Sequence, residues 1–173
     1  MLTCDTTPTA EILHGFAPVI DQQSRMLILG SFPGVASLQQ QAYYAHPQNQ
    51  FWRLLSAICG QDFVRLSYPQ RLQTLLQQRI GLWDIYAHCE RQGSLDSAIR
   101  HGHYNHFENL RRDYPHLQKL CFNGKTAAKV DRYLQALGYQ TQTLPSSSPA
   151  YAALSFEGKL KIWRQACEFE LSN

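Results

Sequence analysis

The sequence predicts an α/β fold: a single-domain, three-layer sandwich in which helices flank a short, mostly parallel, four-stranded sheet. Four short, mainly apolar runs, each bounded by turn residues or charged segments, are typical of strands. Amphipathic segments of helical periodicity lie between them, and this alternation is typical of βαβ units. The length of 173 residues favours one domain over residues 1–173 and is enough to bury a substantial core.

The individual elements follow from these patterns. The fourth strand, YQTQTL, is the least apolar, so we expect it near an edge of the sheet. Pro69 suits a first helical turn, and Gly138 suits a C-cap. The predicted strands are residues 25–30, 81–86, 119–123 and 139–144, and the predicted helices are residues 49–58, 69–78, 124–137 and 156–169.

Composition excludes several classes of protein. With 44% hydrophobic and 17% charged residues, the chain has the composition of a soluble globular protein. No apolar run approaches the roughly 20 residues that a membrane span needs, and the N-terminus lacks a signal-peptide pattern. The five cysteines lie far apart without a CxxC pair, which argues against a thiolate metal site or a disulfide framework. We therefore expect a cytoplasmic protein without a metal or cofactor.

The charge distribution is mildly informative. The formal net charge is +3, and residues 100–132 carry seven Lys or Arg against three Asp or Glu. Such a stretch tracks phosphates in some proteins and is an ordinary solvated face in others. Both interpretations stay open at this point.

Ligands of open α/β sheets bind beyond the carboxyl ends of the strands. Three loops lie there in the predicted fold: residues 31–49, the loop after Tyr86 and residues 145–151. The first begins with GSFPG, where Gly30 permits close approach of the backbone to a ligand. It ends at Asn49, a residue type preferred as a helix N-cap. The third loop holds three serines between two prolines, which suits either a grip on a phosphate backbone or a surface connection.

Six motifs together carry a family resemblance: GSFPG, YYAHPQNQFW, GLWD, CERQGSLD, FNGK and PSSSPA. In this order, over about 120 residues, they resemble the uracil-DNA glycosylase superfamily. The pattern is most similar to the hypoxanthine-DNA (deoxyinosine) glycosylase branch, with similarity also to the mismatch-specific uracil and thymine glycosylases. The resemblance implies an enzyme that flips a damaged or mismatched base out of DNA and hydrolyses its glycosidic bond, leaving an abasic site.

The resemblance also implies roles for individual residues. Many members of the superfamily place Asn or Asp where this chain has Phe32, which cannot orient water, so Asn49 becomes the catalytic candidate. Ser146 stands where the uracil enzymes use a histidine, which argues against very efficient uracil excision and fits a slower, broader enzyme. The motif pattern makes hypoxanthine the first candidate substrate, with uracil and xanthine next. The implied base pocket comprises Gly30, Ser31, Phe32, Tyr44 and Asp84, and the implied DNA contacts are Ser146, Ser147, Ser148, Pro149, Arg91, Ser94 and Lys125.

Two other functions remain open from the residues alone. One is a nucleoside hydrolase that acts on small molecules, although a P-loop is absent from the sequence. The other is a non-catalytic DNA-lesion binder, in which Phe32 marks a lost water site. In each case we expect a monomer.

Overall fold

The computed structural model describes the backbone of residues 10–171 and the side chains of residues 10–168. It contains seven strands, six α-helices and three short 3-10 helices within that range. The strands are β1 (Ile12–His14), β2 (Met26–Gly30), β3 (Ile80–Asp84), β4 (Tyr86–Glu90), β5 (Arg100–Tyr104), β6 (Lys119–Asn123) and β7 (Gln140–Leu144). The helices are α1 (Val35–Gln40), α2 (Phe51–Cys59), α3 (Tyr68–Gln77), α4 (Leu110–Asp113), α5 (Asp131–Ala136) and α6 (Phe156–Leu171).

The central sheet has the order β3-β2-β6-β7, and all three pairings are parallel. In its middle, Ile28 pairs with Leu82 on one side and Cys121 on the other. The predicted four-stranded parallel sheet is confirmed, with β7 at an edge as expected. Because all four strands run the same way, their carboxyl ends lie along one edge of the sheet.

Alternation along β2 divides the interior into two cores. Met26 and Ile28 belong to a fully buried cluster with side chains of α2, α3 and α6. Leu27 and Leu29 belong to a second cluster on the other face, with side chains of α4 and α5. Each fully buried aliphatic side chain contributes roughly 1.5–3 kcal/mol, so the three predicted layers hold the central strands firmly.

The prediction of one strand over residues 81–86 is wrong. β3 ends at Asp84, and the N–H of Ile85 donates to the carbonyl of Gly30 at 2.8 Å. The chain then turns into β4, which belongs to a separate antiparallel sheet of order β1-β4-β5. Neither this second sheet nor α1 was predicted.

Helix boundaries differ from the prediction where turn chemistry overrides periodicity. Gly124 has a φ of +99°, and the segment after it forms a 3-10 helix (Ala127–Val130) before α5 begins. The predicted helix 124–137 therefore starts too early, although Gly138 adopts the positive φ of a C-cap.

No helix among the described residues is long and apolar enough to cross a membrane. Four cysteines of that range are free thiols, and Cys4 lies outside it.

Candidate active site

A cavity of about 490 Å³ opens at the carboxyl edge of the central sheet. Three segments form its walls: residues 31–37, residues 94–97 and residues 146–151. We call residues 30–34 the glycine loop, residues 91–99 the rim loop and residues 145–151 the serine loop. Further lining side chains include Tyr44, Asn49, Asp84 and Asn123.

Asn49 holds a fixed orientation at the start of α2. Its Oδ1 accepts hydrogen bonds from the N–H of Phe51 at 3.0 Å and from Ser147 Oγ at 2.9 Å. A backbone N–H can only donate, so the carboxamide oxygen must face it. The NH2 group donates no hydrogen bond within residues 10–168. Asn49 therefore lies one residue before the N-cap, Gln50, where its oxygen holds the first N–H of α2 and its NH2 group is left as a donor at the cavity.

Asn123 and Ser147 set the position of Asn49 through a short hydrogen-bond chain. Asn123 Nδ2 donates to Ser147 Oγ at 2.9 Å, and the N–H of Ser147 donates to Asn123 Oδ1 at 2.8 Å. Ser147 lines the cavity but is fully buried, and its hydroxyl is engaged with Asn49 and Asn123. Asn123 was not among the predicted site residues, although its place at the carboxyl end of a predicted strand was a signal for it.

Gly30 and Asp84 are register partners at the ends of β2 and β3. A Cβ on Gly30 would lie 2.5 Å from Asp84 Oδ1 and 2.9 Å from Tyr44 Oη, so this close approach requires glycine. Within the described residues, Tyr44 Oη and Asp84 Oδ2 are buried without a hydrogen-bond partner. Such orphaned groups are rare in folded proteins and call for a ligand or a functional explanation.

Burial raises the pKa of Asp84 to about 7, and the nearby carboxylate of Asp96 adds to the shift. The guanidinium of Arg91 acts in the opposite direction. Burial, followed by the charge of Asp84, also raises the pKa of Tyr44 above the ordinary value of a phenol. At neutral pH the cavity therefore holds a neutral phenol and a carboxyl group that is close to half protonated.

The ring of Tyr44 lies parallel to that of Phe51, with a centroid separation of 4.0 Å. The backbone of Tyr44 has a φ of +54°, a strained value for a bulky residue that costs of order 1–3 kcal/mol. Strain of this kind is concentrated at functional sites, which is consistent with the position of Tyr44 in the cavity wall.

Arg91 is buried and supports the glycine loop through hydrogen bonds from inside the protein. Its Nη2 donates to the carbonyl of Pro33 at 2.6 Å, and its Nε donates to that of Gly93 at 2.8 Å. The guanidinium also lies 5.2 Å from the ring centroid of Phe32, which is buried in the second core. This buried arrangement contradicts the prediction that Arg91 contacts DNA, and it shows why Phe32 is tolerated at the cavity: its ring is a core residue.

Two hydroxyl groups join the rim loop to the segment that follows β2. Ser31 Oγ donates to Asp96 Oδ1 at 2.6 Å, and the N–H of Val35 donates to Ser94 Oγ at 2.9 Å. Ser94 is exposed, and its hydroxyl proton remains able to reach a ligand.

The serine loop is fixed by its own hydroxyls and by α6. Ser146 Oγ accepts from the N–H of Ser148, and Ser148 Oγ accepts from that of Ala150. From α6, Trp163 Nε1 donates to the carbonyl of Pro145 at 2.8 Å, and Lys159 Nζ donates to that of Ser148 at 3.4 Å. The hydroxyls of Ser146 and Ser148 keep their protons for donation, and exposed Pro149 also lines the cavity.

The basic stretch is only partly a free surface. Arg111 lies over the ring of Tyr139, and Lys119 Nζ donates to the carbonyl of Ala166 at 2.7 Å. Lys125 is exposed after β6, outside the lining of the cavity. The sequence-based candidates thus separate into those that line the cavity and three, Gly30, Arg91 and Lys125, that do not.

A parallel α/β sheet with a polar cavity at its carboxyl edge is the arrangement in which α/β enzymes bind their ligands. The chain belongs to the uracil DNA glycosylase superfamily, whose family model matches residues 17–167. It is therefore a DNA glycosylase, a glycoside-cleaving hydrolase of base excision repair that acts on DNA. The predicted family and enzyme class are confirmed.

Two curated relatives and one solved structure accompany this match. A protein from Methanosarcina barkeri named hypoxanthine DNA glycosylase is 41% identical over 153 residues, which cover 88% of this chain and 96% of that protein. A protein of the same name from Methanosarcina acetivorans is 42% identical over 139 residues, 80% of this chain and 88% of that protein. A solution NMR structure from Methanosarcina acetivorans, provisionally described as a uracil DNA glycosylase, superposes with a TM-score of 0.84 at 38% identity, covering 92% of this chain and 99% of that one.

Proposed function

We propose that this glycosylase removes deaminated bases, hypoxanthine foremost, and leaves an abasic site. The observation that carries the proposal is the pair of orphaned polar atoms beside Gly30, namely Asp84 Oδ2 and Tyr44 Oη. The names of the two Methanosarcina relatives support hypoxanthine as the base. Uracil and xanthine are further candidates because they share its lactam edge.

Asp84 recognises that lactam edge in its neutral form. A protonated carboxyl has one O–H donor and one C=O acceptor. Hypoxanthine offers the matching pair, a C6 carbonyl and an N1–H, and uracil offers C4 carbonyl and N3–H. A carboxyl with a pKa raised to about 7 can therefore make both hydrogen bonds, whereas a carboxylate accepts from the ring N–H but has no donor for the base carbonyl.

Extrusion of the nucleotide precedes recognition, since a base inside a duplex is out of reach. Tyr44 stacks on the extruded base with the ring face that Phe51 leaves free. Base–aromatic stacking contributes on the order of 1–3 kcal/mol. Deaminated bases pair weakly and are extruded at lower cost, which adds selectivity.

Bond cleavage develops positive charge on the sugar and negative charge on the departing base. The N–H groups of Ser31 and Phe32 make no backbone hydrogen bond among the described residues and stabilise the base anion. The NH2 group of Asn49 donates to a water molecule, which attacks the sugar with its remaining lone pair as the bond to the base breaks. The proton that this water then loses passes through solvent to the departing base anion, so the products are the sugar hydroxyl of an abasic site and a neutral base. Because an amide does not take up a proton at neutral pH, Asn49 is a positioning donor and not a general base.

DNA is held on both sides of the cavity by a monomeric enzyme. The hydroxyls of Ser146, Ser148 and Ser94, together with the backbone near Pro149, donate to phosphates around the lesion, and Lys125 adds a more distant charge. Ser147 and Arg91 act inside the protein, where they position Asn49 and the glycine loop.

A panel of oligonucleotides, each with one damaged base, tests this proposal. We expect hypoxanthine DNA to yield an alkali-labile abasic site and free deoxyinosine to remain intact. Cleavage of the free nucleoside would favour a nucleoside hydrolase, and binding without base release would favour a lesion binder.

The Asn49→Ala variant tests the catalytic assignment. We expect base release to fall at least a hundredfold while DNA affinity changes little, with a stability cost of about 1 kcal/mol for the lost hydrogen bond from the N–H of Phe51. The control is Gln48→Ala, since Gln48 is the exposed neighbour and lies outside the cavity lining. Near-normal turnover of Asn49→Ala would show that the assignment is wrong.

A further inference from the structure

Three histidines form a row across the second sheet, one from each of its strands. Strand pairing places His14 of β1 opposite His88 of β4, and His88 opposite His103 of β5. The rings of His88 and His103 stack with their centroids 4.4 Å apart, and the ring of His14 lies 5.7 Å from that of His88. These contacts show that the three side chains project from the same face of the sheet. We call the three residues the imidazole row.

The imidazole row is accessible and has no polar partner. His14 and His103 are exposed, and His88 is half-buried. Within the described residues, the three rings contact one another and take part in no hydrogen bond or ion pair. The opposite face of the sheet holds Leu13 and Cys89, which pack on the second core. The row therefore lies on the solvent side of the sheet, with its ring nitrogen atoms available to a ligand.

The charges around the imidazole row suit an anion. β5 carries Arg100, His101 and His103 and contains no acidic residue. The carboxylate that faces this part of the sheet belongs to Glu90, and it is engaged at 3.1 Å by Nδ1 of His101. Among the described residues no group of three His, Cys, Asp or Glu side chains is placed to hold a metal ion, so the row is not a metal site.

The other end of the sheet adds no negative charge. Beyond His103, the ring of Tyr104 stacks on that of Tyr86 with a centroid separation of 5.0 Å. Burial raises the pKa of the Tyr104 phenol, which is therefore neutral at physiological pH, and the nearby charge of Lys129 is positive.

The rim loop joins the imidazole row to the cavity. It connects Glu90 at the end of β4 to Arg100 at the start of β5, and these two residues are paired across the sheet. His88 is two residues from Glu90, which corresponds to about 7 Å along a strand. DNA that is seated over the rim loop is therefore adjacent to the row.

We propose that the imidazole row binds the phosphate backbone of the DNA arm beside the lesion. Protonated imidazoles make charge-assisted hydrogen bonds to phosphate. Two protonated rings in contact repel each other, so the stacked pair of His88 and His103 gains most from an anion placed against it. The superfamily acts on DNA, and the DNA at the cavity supplies that anion. The inference goes beyond the proposed function, since it is independent of which base is removed.

Affinity for undamaged duplex DNA tests the imidazole row apart from base recognition. Because histidine gains its proton between about pH 8 and pH 5, we expect the parent chain to bind about tenfold more tightly near pH 6 than near pH 8. The double variant His88→Gln/His103→Gln carries neutral amides, and we expect it to reduce this gain to about threefold or less. Anisotropy of a duplex that carries a pH-insensitive dye measures both affinities.

The matched control is His116→Gln, which should keep the full pH response. His116 is exposed and precedes β6, so it lies at the edge of the central sheet opposite the cavity. His46 and Asp84, which line the cavity, are present in the parent and in both variants, so their contribution cancels in the comparison. Thermal unfolding of the double variant should be close to that of the parent, because the row lies outside both cores.

Neutral methylphosphonate linkages show whether the contact with DNA is direct. Near pH 6, we expect such linkages on one arm of the duplex to weaken binding by the parent chain severalfold, and linkages on the other arm to have a smaller effect. In the double variant the difference between the arms should disappear, because changes to two groups in contact are not additive.

The outcomes separate this inference from the proposed function. A pH response of the double variant equal to that of the parent, or losses from protein and DNA changes that simply add, would overturn the assignment of the imidazole row. Neither measurement depends on base release. An absence of hypoxanthine excision would therefore defeat the proposed function and leave the result for the imidazole row standing.

Discussion

Gly30 determines what Asp84 and Tyr44 can do. The missing Cβ leaves the space in which a carboxyl oxygen and a phenol oxygen approach the end of β2. Both oxygens are cut off from water, so a negative charge on Asp84 is costly and its pKa rises to about 7. One glycine thus influences both the shape of the pocket and the protonation state of Asp84, the group that we propose reads the base.

The Asp84→Asn variant tests the role of that proton. In the parent enzyme, the neutral carboxyl is present below pH 7 and is lost as the pH rises through about 7, so base release from hypoxanthine DNA should fall over that range. Asn keeps one donor and one acceptor but does not titrate. We expect Asp84→Asn to stay active and to lose the decline on the alkaline side in a pH–rate profile.

Thermal unfolding provides the control for this prediction. The folded protein retains on Asp84 a proton that the unfolded chain releases above about pH 4. The free energy of unfolding therefore falls between about pH 4 and pH 7, by at most about 4 kcal/mol, and Asp84→Asn should remove this fall. A pH–rate profile and a stability profile that are both unchanged by the substitution would contradict the assignment.

At the scale of elements, the serine loop, α2 and β6 meet in the hydrogen-bond chain Asn123–Ser147–Asn49. Each element supplies one member, so the orientation of the Asn49 amide depends on the packing of all three. The N–H of Gln50 also donates to the carbonyl of Ser147 at 3.0 Å, which fixes the serine loop to the start of α2. This hydrogen-bond chain therefore couples the serine loop, which we propose binds DNA, to Asn49, which we propose positions water.

The Ser147→Ala variant tests this coupling. Loss of the hydroxyl removes one acceptor for Asn123 and one donor to Asn49, so we expect turnover to drop about tenfold or more with DNA affinity nearly unchanged. A destabilisation of about 1–3 kcal/mol should accompany it. The comparison is Ser146→Ala, whose hydroxyl faces the cavity: there the loss should appear in affinity, measured by fluorescence anisotropy. The reverse pattern would return Ser147 to the DNA contacts.

Sequence patterns predict the elements that are buried and miss those that are not. β2, β3 and β6 are short apolar runs in the middle of the sheet, so their core positions are visible in the sequence. β5 reads RHGHY and is exposed along its whole length, and β1 has three residues, so neither carries a hydrophobic signal. The site follows the same rule: the strand-end position of Gly30 was predictable, whereas the predicted strand ran past Asp84 to residue 86, and the burial of Ser147 and Arg91 depends on tertiary contacts.

At the scale of the whole molecule, the glycine loop, the rim loop and the serine loop lie together at one edge of the parallel sheet. The charges near that edge determine how strongly DNA binding depends on salt. The net charge is only +3, and several cations of the basic stretch are used internally. The rim also carries Asp96, an anion held by Ser31. Binding must therefore depend on a few exposed cations and on neutral hydroxyl and N–H donors, so we expect a shallow salt dependence.

Lys125 and Lys119 provide a matched test of this view, because Gln at either position changes the net charge equally. Lys125 is exposed, so each counterion that it displaces from DNA contributes to the slope of log K against log salt. We expect Lys125→Gln to lower that slope by about one and to weaken binding to all sequences alike. Lys119 donates to the carbonyl of Ala166, so Lys119→Gln should lower stability and leave the slope unchanged. Anisotropy titrations over a range of salt concentrations give the slopes for both variants. Equal slopes would mean that Lys125 makes no phosphate contact. Net charge alone would then govern the binding of DNA.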